Sequence, residues 1–112
     1  MKKPLRAIDV DVHFKVLHLL EKKPQLTQRE ISKELAISLG GVNYCLKALI
    51  EIGHIKTKNF NQHPKKLAYM YLLTSQGIAE KMRLASGFLQ RKMDEYHALK
   101  KEIQYLKSNL KD

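Results

Sequence analysis

The sequence predicts a mainly helical α+β chain: short helices around a tight turn, a small β-hairpin and one long C-terminal helix. Three observations predict it. Residues 27–53 carry two runs of helically spaced apolar residues, each opened by a capping residue. Residues 54–73 switch to strand-like alternation on either side of a polar turn. From Ile78 to Leu110 the apolar residues recur every seven positions.

Residues 1–8 read as a short basic arm. Asp9 or Asp11 can cap a helix that runs to about Lys22 or Lys23, with Val12, Val16, Leu17, Leu19 and Leu20 as its inner stripe. Pro24 ends it, because the residue before a proline is pushed out of helical geometry. His13 and His18 lie five apart on this helix, so they share no face and are expected to be partly exposed.

Thr27 and Glu30 have the spacing of a capping box, and Ile31 and Leu35 form the single apolar stripe of a short helix. Ile37 is the residue to bury beneath the bend. Ser38 is the next N-cap, and Val42, Cys45, Leu46, Leu49 and Ile50 form the inner face of a second, longer helix that stops at Gly53. Leu39, Gly40, Gly41, Asn43, Tyr44 and Lys47 are left on its other side. Such a pair is a helix-turn-helix, although an ordinary helical hairpin would read the same.

The stretch after Gly53 decides between them. His54 to Phe60 alternates apolar or β-branched residues with lysine, Asn61 to Lys66 is turn chemistry, and Leu67 to Leu73 reads as the returning strand. A hairpin placed directly after a helix-turn-helix makes a winged helix. Thr74 then starts the last helix, with Gly77 as a poor but tolerated residue near its start.

In that helix Met82, Leu89, Tyr96, Ile103 and Leu110 hold one heptad position and Ile78, Ala85, Lys92, Leu99 and Leu106 its companion, with Lys92 the polar break. A helix of about 35 residues is roughly 50 Å long, too long to be covered by so small a domain. Pairing with a second chain through Met82, Leu89, Tyr96, Leu99, Ile103, Leu106 and Leu110 is therefore expected, in an orientation the spacing leaves open. Folding back over the first helix is the alternative. The division expected is a winged helix-turn-helix over residues 1–74 and a dimerisation helix over 75–112.

Composition narrows the partners. The 112 residues carry a formal charge of +10, and no acidic residue stands between Glu51 and Glu80, where Lys56, Lys58, Lys65 and Lys66 lie. Nucleic acid is the leading partner for such a chain, ahead of an anionic membrane surface or an acidic protein. No apolar run approaches the roughly 20 residues needed to span a bilayer, and Lys2 and Lys3 precede no signal-like stretch. A single cysteine makes no internal disulfide, which suits the cytoplasm.

Over Leu19 to Leu106 the sequence resembles the MarR-like winged-helix transcriptional regulators, and within them a small group associated with exopolysaccharide loci. The resemblance is carried by Thr27-Gln-Arg-Glu, by Ser38-Leu-Gly-Gly-Val-Asn-Tyr-Cys-Leu-Lys-Ala-Leu-Ile-Glu, by Lys66-Leu-Ala-Tyr-Met-Tyr-Leu-Leu-Thr and by Gly77-Ile-Ala-Glu-Lys. It implies a bacterial cytoplasmic regulator that binds double-stranded DNA as a dimer, with the second motif helix in the major groove and the wing beside the backbone. Lys33 and Ala36 depart from the usual pattern, which places a small residue or glycine there. The chain is also shorter than typical members, so no small-molecule effector is carried over.

The residues expected to meet DNA are Thr27, Gln28, Ser38, Leu39, Gly40, Gly41, Asn43, Tyr44, Lys47, Lys56, Lys58, His63, Lys65 and Lys66. Asn43 has the amide geometry that pairs with adenine; the alternative is a solvated helix residue. Gly40 and Gly41 would let a phosphate approach the helix start, or merely loosen the first turn. Tyr44 would touch sugar or phosphate, and the lysines would add affinity without reading sequence. His63 sits at the wing tip. Tyr69 and Tyr71 share a strand face that is more often core than stacking surface, and Cys45 is expected to be a small buried hydrophobe.

No cofactor and no metal are expected: the five histidines form no ligand pair of the His-Glu-x-x-His kind, and Cys45 with His54 and His63 would be a sparse set. Glycine-rich phosphate loops and nucleophile elbows are missing from the sequence, so no catalysis is expected. The competing reading is a winged helix used as an assembly module, with its long helix binding a partner protein. An acid-free basic wing beside Asn43 and Tyr44 argues against it.

Overall fold

The computed structural model describes residues 9–60 and 68–110. Helix α1 (Val10–Lys22) begins at Asp9, whose carboxylate accepts the amides of Asp11 and Val12. Helix α2 (Gln28–Leu35) begins at the expected capping box: Glu30 N donates to Thr27 Oγ1 at 3.1 Å, and Thr27 N donates to Glu30 Oε1 at 2.9 Å. Ser38 caps α3 (Leu39–Glu51) by accepting the Gly41 amide. Strands β1 (Ile55–Phe60) and β2 (Ala68–Leu73) pair antiparallel with Ile55 opposite Leu73 and Thr57 opposite Tyr71. Helix α4 (Ser75–Asn109) is capped by Thr74. The order is that of a winged helix with a long helix appended, as the periodicities predict. The turn at Asn61 to Lys66 lies outside the described residues.

The core forms where the three short helices meet the root of the wing. Leu17, Leu20, Ile31, Leu46, Leu49 and Ile55 are almost fully buried. Ile31 is the one residue of α2 that is fully inside, so that helix is held by a single deep anchor flanked by Leu35 and Ile37. On α3 the inner face differs from the expected one in one place: Ala48 is buried, while Ile50 is 38% exposed. Helix α3 turns its inner face toward both α2 and β1, and that rotation buries Ala48 in place of Ile50.

Two further expectations are corrected. His13 is buried rather than partly exposed. Its ring stacks on that of His54, with centroids 5.4 Å apart and Nε2 lying 3.3 Å from Nδ1 of the partner ring. Heptad and helix spacing describe one element at a time, and this contact joins α1 to the residue just before β1. Gly77 is more than tolerated. A Cβ there would lie 2.1 Å from the His54 carbonyl oxygen, so α4 starts against the chain at a distance that only glycine permits. The same junction holds Gly53, whose φ of 86° ends α3, and Thr74, whose amide donates to the His54 carbonyl and whose hydroxyl donates to the Gly53 carbonyl.

The first turns of α4 then run along α1. Phe88 stacks on Phe14 at 4.6 Å between ring centroids, Leu84 is buried, and Arg91 Nε donates to Asp11 Oδ1 at 2.8 Å. A second ion pair joins Lys81 to Glu21. The fold-back alternative thus holds for the near half only, because every residue from Leu89 to Leu110 is exposed. The radius of gyration is 18.0 Å, against about 13 Å for a compact domain of this size.

Ala36 closes α2 in the left-handed conformation with φ 55°, a geometry disfavoured by a Cβ. Replacing it with glycine, Ala36→Gly, should raise the unfolding free energy by about 1 kcal/mol, readable as a shift in the denaturant midpoint without a change in slope. Gly77→Ala should do the opposite, lowering stability by about 1–3 kcal/mol through overpacking against backbone. A third expectation concerns acid. Burial first, then the His54 ring, hold the His13 pKa below 6.5; Glu80 acts in the opposite sense and Arg83 in the same. Since the unfolded chain takes up the proton more readily, the stability from neutral His13 is complete above about pH 6.5 and declines as the pH falls toward the folded-state pKa. Melting temperature should therefore drop between pH 7.5 and 5.5, less steeply in His13→Phe.

Candidate nucleic-acid interface

The surface that matters is built on α3 and the hairpin. Because the inner face of α3 is fixed by Val42, Cys45, Leu46 and Leu49, its opposite face must present Leu39, Gly40, Tyr44 and Lys47, all of which are exposed. Leu39 and Tyr44 are 39% and 47% exposed. The two glycines at the helix start differ. A Cβ at Gly40 would meet nothing within 4 Å, whereas one at Gly41 would press on Ile37 and on the capping Ser38. Gly41 thus fits the tight turn, and Gly40 leaves open space at an N-terminus whose amides and dipole favour an anion.

Asn43 is held rather than free. Its Nδ2 donates to Gln28 Oε1 at 3.3 Å, and Gln28 Nε2 donates to the Tyr71 hydroxyl at 3.2 Å. The Tyr71 amide in turn donates to the Pro24 carbonyl at 3.1 Å. One line of hydrogen bonds therefore fixes the turn before α2, the wing strand β2, the start of α2 and the outer side of α3 relative to one another. It uses one amide hydrogen of Asn43 and leaves the other, with the carbonyl oxygen, available in a set orientation.

On the wing, Ile55 is buried and Lys56, Thr57 and Lys58 are exposed. Lys56 and Lys58 are two apart in a strand and so project from the face opposite Ile55. Tyr71 packs against the core from the inner face, in keeping with its expected role. His63, Lys65 and Lys66 lie outside the described residues. Thr27 is exposed but its hydroxyl is taken up by the helix cap, and Gln28 is half-buried as the support of Asn43.

The sequence reading missed Arg29 and Lys33. They stand one turn apart on α2 and, with Glu30, Ser32 and Leu39, line an open depression beside the start of α3. The signal was present in their four-residue spacing, but a short helix read for its cap and its buried stripe hides its outer side. The Cys45 thiol is pushed up to about 11 by burial, as suits a packing residue. Among the described residues no group of three or more His, Cys, Asp or Glu could hold a metal ion, and no helix is long and apolar enough to cross a membrane.

Residues 11–56 match the family model described as winged helix-turn-helix DNA-binding. No curated protein matches the chain. Among solved structures, Escherichia coli MarR in its apo form aligns with a TM-score of 0.60 at 22% identity, over 85% of this chain and 76% of that one. Streptococcus pneumoniae FabT in complex with DNA aligns with a TM-score of 0.57 at 23% identity, over 96% and 78%. A Staphylococcus aureus MepR variant bound to an oligodeoxyribonucleotide aligns with a TM-score of 0.58 at 20% identity, over 91% and 78%. The matched model is described as one of DNA binding, and the fold is shared with these three structures. Residues 11–56 thus resemble the DNA-binding winged helix-turn-helix family, in a chain that shares its fold with MarR.

Proposed function

We propose that the chain is a cytoplasmic, sequence-specific regulator of transcription that binds double-stranded DNA as a homodimer. The observation that carries this reading is the oriented amide of Asn43 on an otherwise exposed face of α3, flanked by Tyr44, Lys47 and the lysines of β1. A donor and an acceptor on one amide match the N7 and N6 groups that adenine shows in the major groove, and no other standard base presents that pair in the same arrangement. Holding the amide through Gln28 and Tyr71 before DNA arrives reduces the ordering cost of the contact.

The remaining residues supply position and affinity. Gly40 admits a phosphate to the start of α3, and Lys47, Lys56 and Lys58 neutralise phosphates along the groove edges. In the sequence, His63, Lys65 and Lys66 continue the same basic run. FabT and MepR, by the descriptions of their structures, hold DNA with this fold, which supports the same use here. Two copies joined through α4 would set two α3 helices into successive major grooves of a near-palindromic site, one helical turn apart. Genes of exopolysaccharide synthesis are the targets suggested by the sequence resemblance.

An operator is sought first in the DNA upstream of the chain's own gene and compared with a shuffled duplex at several salt concentrations. Preference for the native duplex that persists as salt rises supports the proposal; indifference to sequence at every salt refutes it. With the operator in hand, Asn43→Ala should lose about 1–3 kcal/mol on the specific duplex and little on the shuffled one. Lys56→Ala should weaken both duplexes equally and reduce the salt slope by about one. Equal losses on the two duplexes for Asn43→Ala would remove that residue from the reading of sequence.

A further inference from the structure

Among the described residues none covers the outer half of α4, yet its sequence is more than an apolar stripe. Tyr96, Ile103 and Leu110 occupy the first seam position of the heptad and Leu99 and Leu106 the fourth. All five are at least 44% exposed. The positions that flank such a seam are the seventh, just before Tyr96 and Ile103, and the fifth, just after Leu99 and Leu106. The seventh holds Glu95 and Glu102; the fifth holds Lys100 and Lys107. In this stretch the flank before Tyr96 and Ile103 is acidic, and the flank after Leu99 and Leu106 is basic. Glu102 and Lys107 form no ion pair among the described residues.

This arrangement discriminates between the two ways in which a second copy can lie along the helix. In a parallel pair the seventh position of one helix faces the fifth position of the next heptad on the other, so that Glu95 meets Lys100 and Glu102 meets Lys107 of the second copy, twice over by symmetry. In an antiparallel pair seventh faces seventh and fifth faces fifth, which sets carboxylate against carboxylate and ammonium against ammonium. The seam residues themselves are mixed, with isoleucine at the first position only at Ile103, so the charged flanks carry the choice of orientation. We propose that α4 pairs with α4 of a second copy as a parallel, in-register, two-stranded coiled coil. The inference rests on the homodimer proposed above and specifies its geometry.

The near half of the helix accommodates the same arrangement. Ile78, Met82 and Leu89 continue the seam and are exposed. Helix α1 packs on the side of α4 that bears Leu84 and Phe88, and in a parallel pair this side borders the fifth-position face of the other copy. By the same pairing rule Lys81 stands opposite the second copy's Ser86 and Phe88 opposite its Met93, an apolar residue that is 42% exposed. Lys92, a polar residue at a fourth position, ion-pairs with Glu95 and lies 5.4 Å from the Phe88 ring centroid. One polar break of this kind fixes register at some cost in stability.

The test uses the full chain extended after Asp112 by Gly-Gly-Cys, together with sedimentation to give the oligomeric state. Parallel pairing brings the two tails together, so mild oxidation should link nearly all of the dimer. The unextended chain, whose Cys45 is buried, should give none. Glu102→Lys should weaken the dimer about tenfold in the parallel arrangement, because it sets lysine against Lys107, and should tighten an antiparallel one by meeting Glu95. A dimer that fails to link and is strengthened by Glu102→Lys overturns the parallel geometry and leaves the homodimer standing. A chain that stays monomeric at all concentrations overturns the homodimer itself.

Discussion

The architecture depends on one close approach: the backbone of Gly77 against the carbonyl of His54. A Cβ at 77 would sit 2.1 Å from that oxygen, so no other residue lets α4 begin where it does. Around this contact the chain changes element twice, from α3 to β1 and from β2 to α4. Gly53 ends α3, His54 leads into β1, and Thr74 closes β2 while capping α4. Thr74 alone bonds the carbonyls of Gly53 and His54 and accepts the Gly77 amide. His13 of α1 stacks on His54 from the other side. The direction in which the long helix leaves the winged domain is therefore fixed by a handful of backbone groups rather than by a broad apolar interface.

The elements themselves were legible in the sequence because each is governed by short-range rules. The Thr27 and Glu30 capping box, the Ser38 cap, the Gly53 stop and the switch from helical to alternating spacing all act within a few residues, and all stand in the structure. What escaped was long-range. His13 reads as a half-exposed helix residue until His54, 41 positions away, is folded against it. Gly77 reads as a weak point until its neighbour across the junction is known. Ala36 is the instructive middle case. Its place at the end of α2 marks it as a departure from the expected glycine, and its φ of 55° shows that the backbone keeps the turn despite the strain.

The candidate interface divides in the same way. Outward-facing residues on α3 follow from the position of its buried stripe, so Leu39, Tyr44 and Lys47 could be named from spacing alone. The state of Asn43 could not. Its amide is oriented through Gln28, 15 positions before it, and Tyr71, which lies 43 positions from Gln28 along the chain. A side chain tethered in this manner differs from a solvated asparagine in one physical respect: its rotamer freedom is restricted before a partner arrives. The tether also makes the wing and α3 a single unit, because Tyr71 belongs to β2.

The unpaired length of α4 bears on why so small a domain carries it. The core rests on a few buried leucines, isoleucines and valines, and Ile31 alone anchors α2 at full depth. Domains of this size bury only a modest fraction of their surface. Pairing the exposed seam would add apolar burial outside the core, and the first turns of α4 are already tied to α1 by Phe88 on Phe14 and by Arg91 on Asp11. Order imposed on the seam would therefore be transmitted directly to α1, and from α1 through His13 to the residue that opens the wing. Dimer formation and the setting of the DNA-facing surface would then be coupled through packed side chains over a short path, with no moving part required between them.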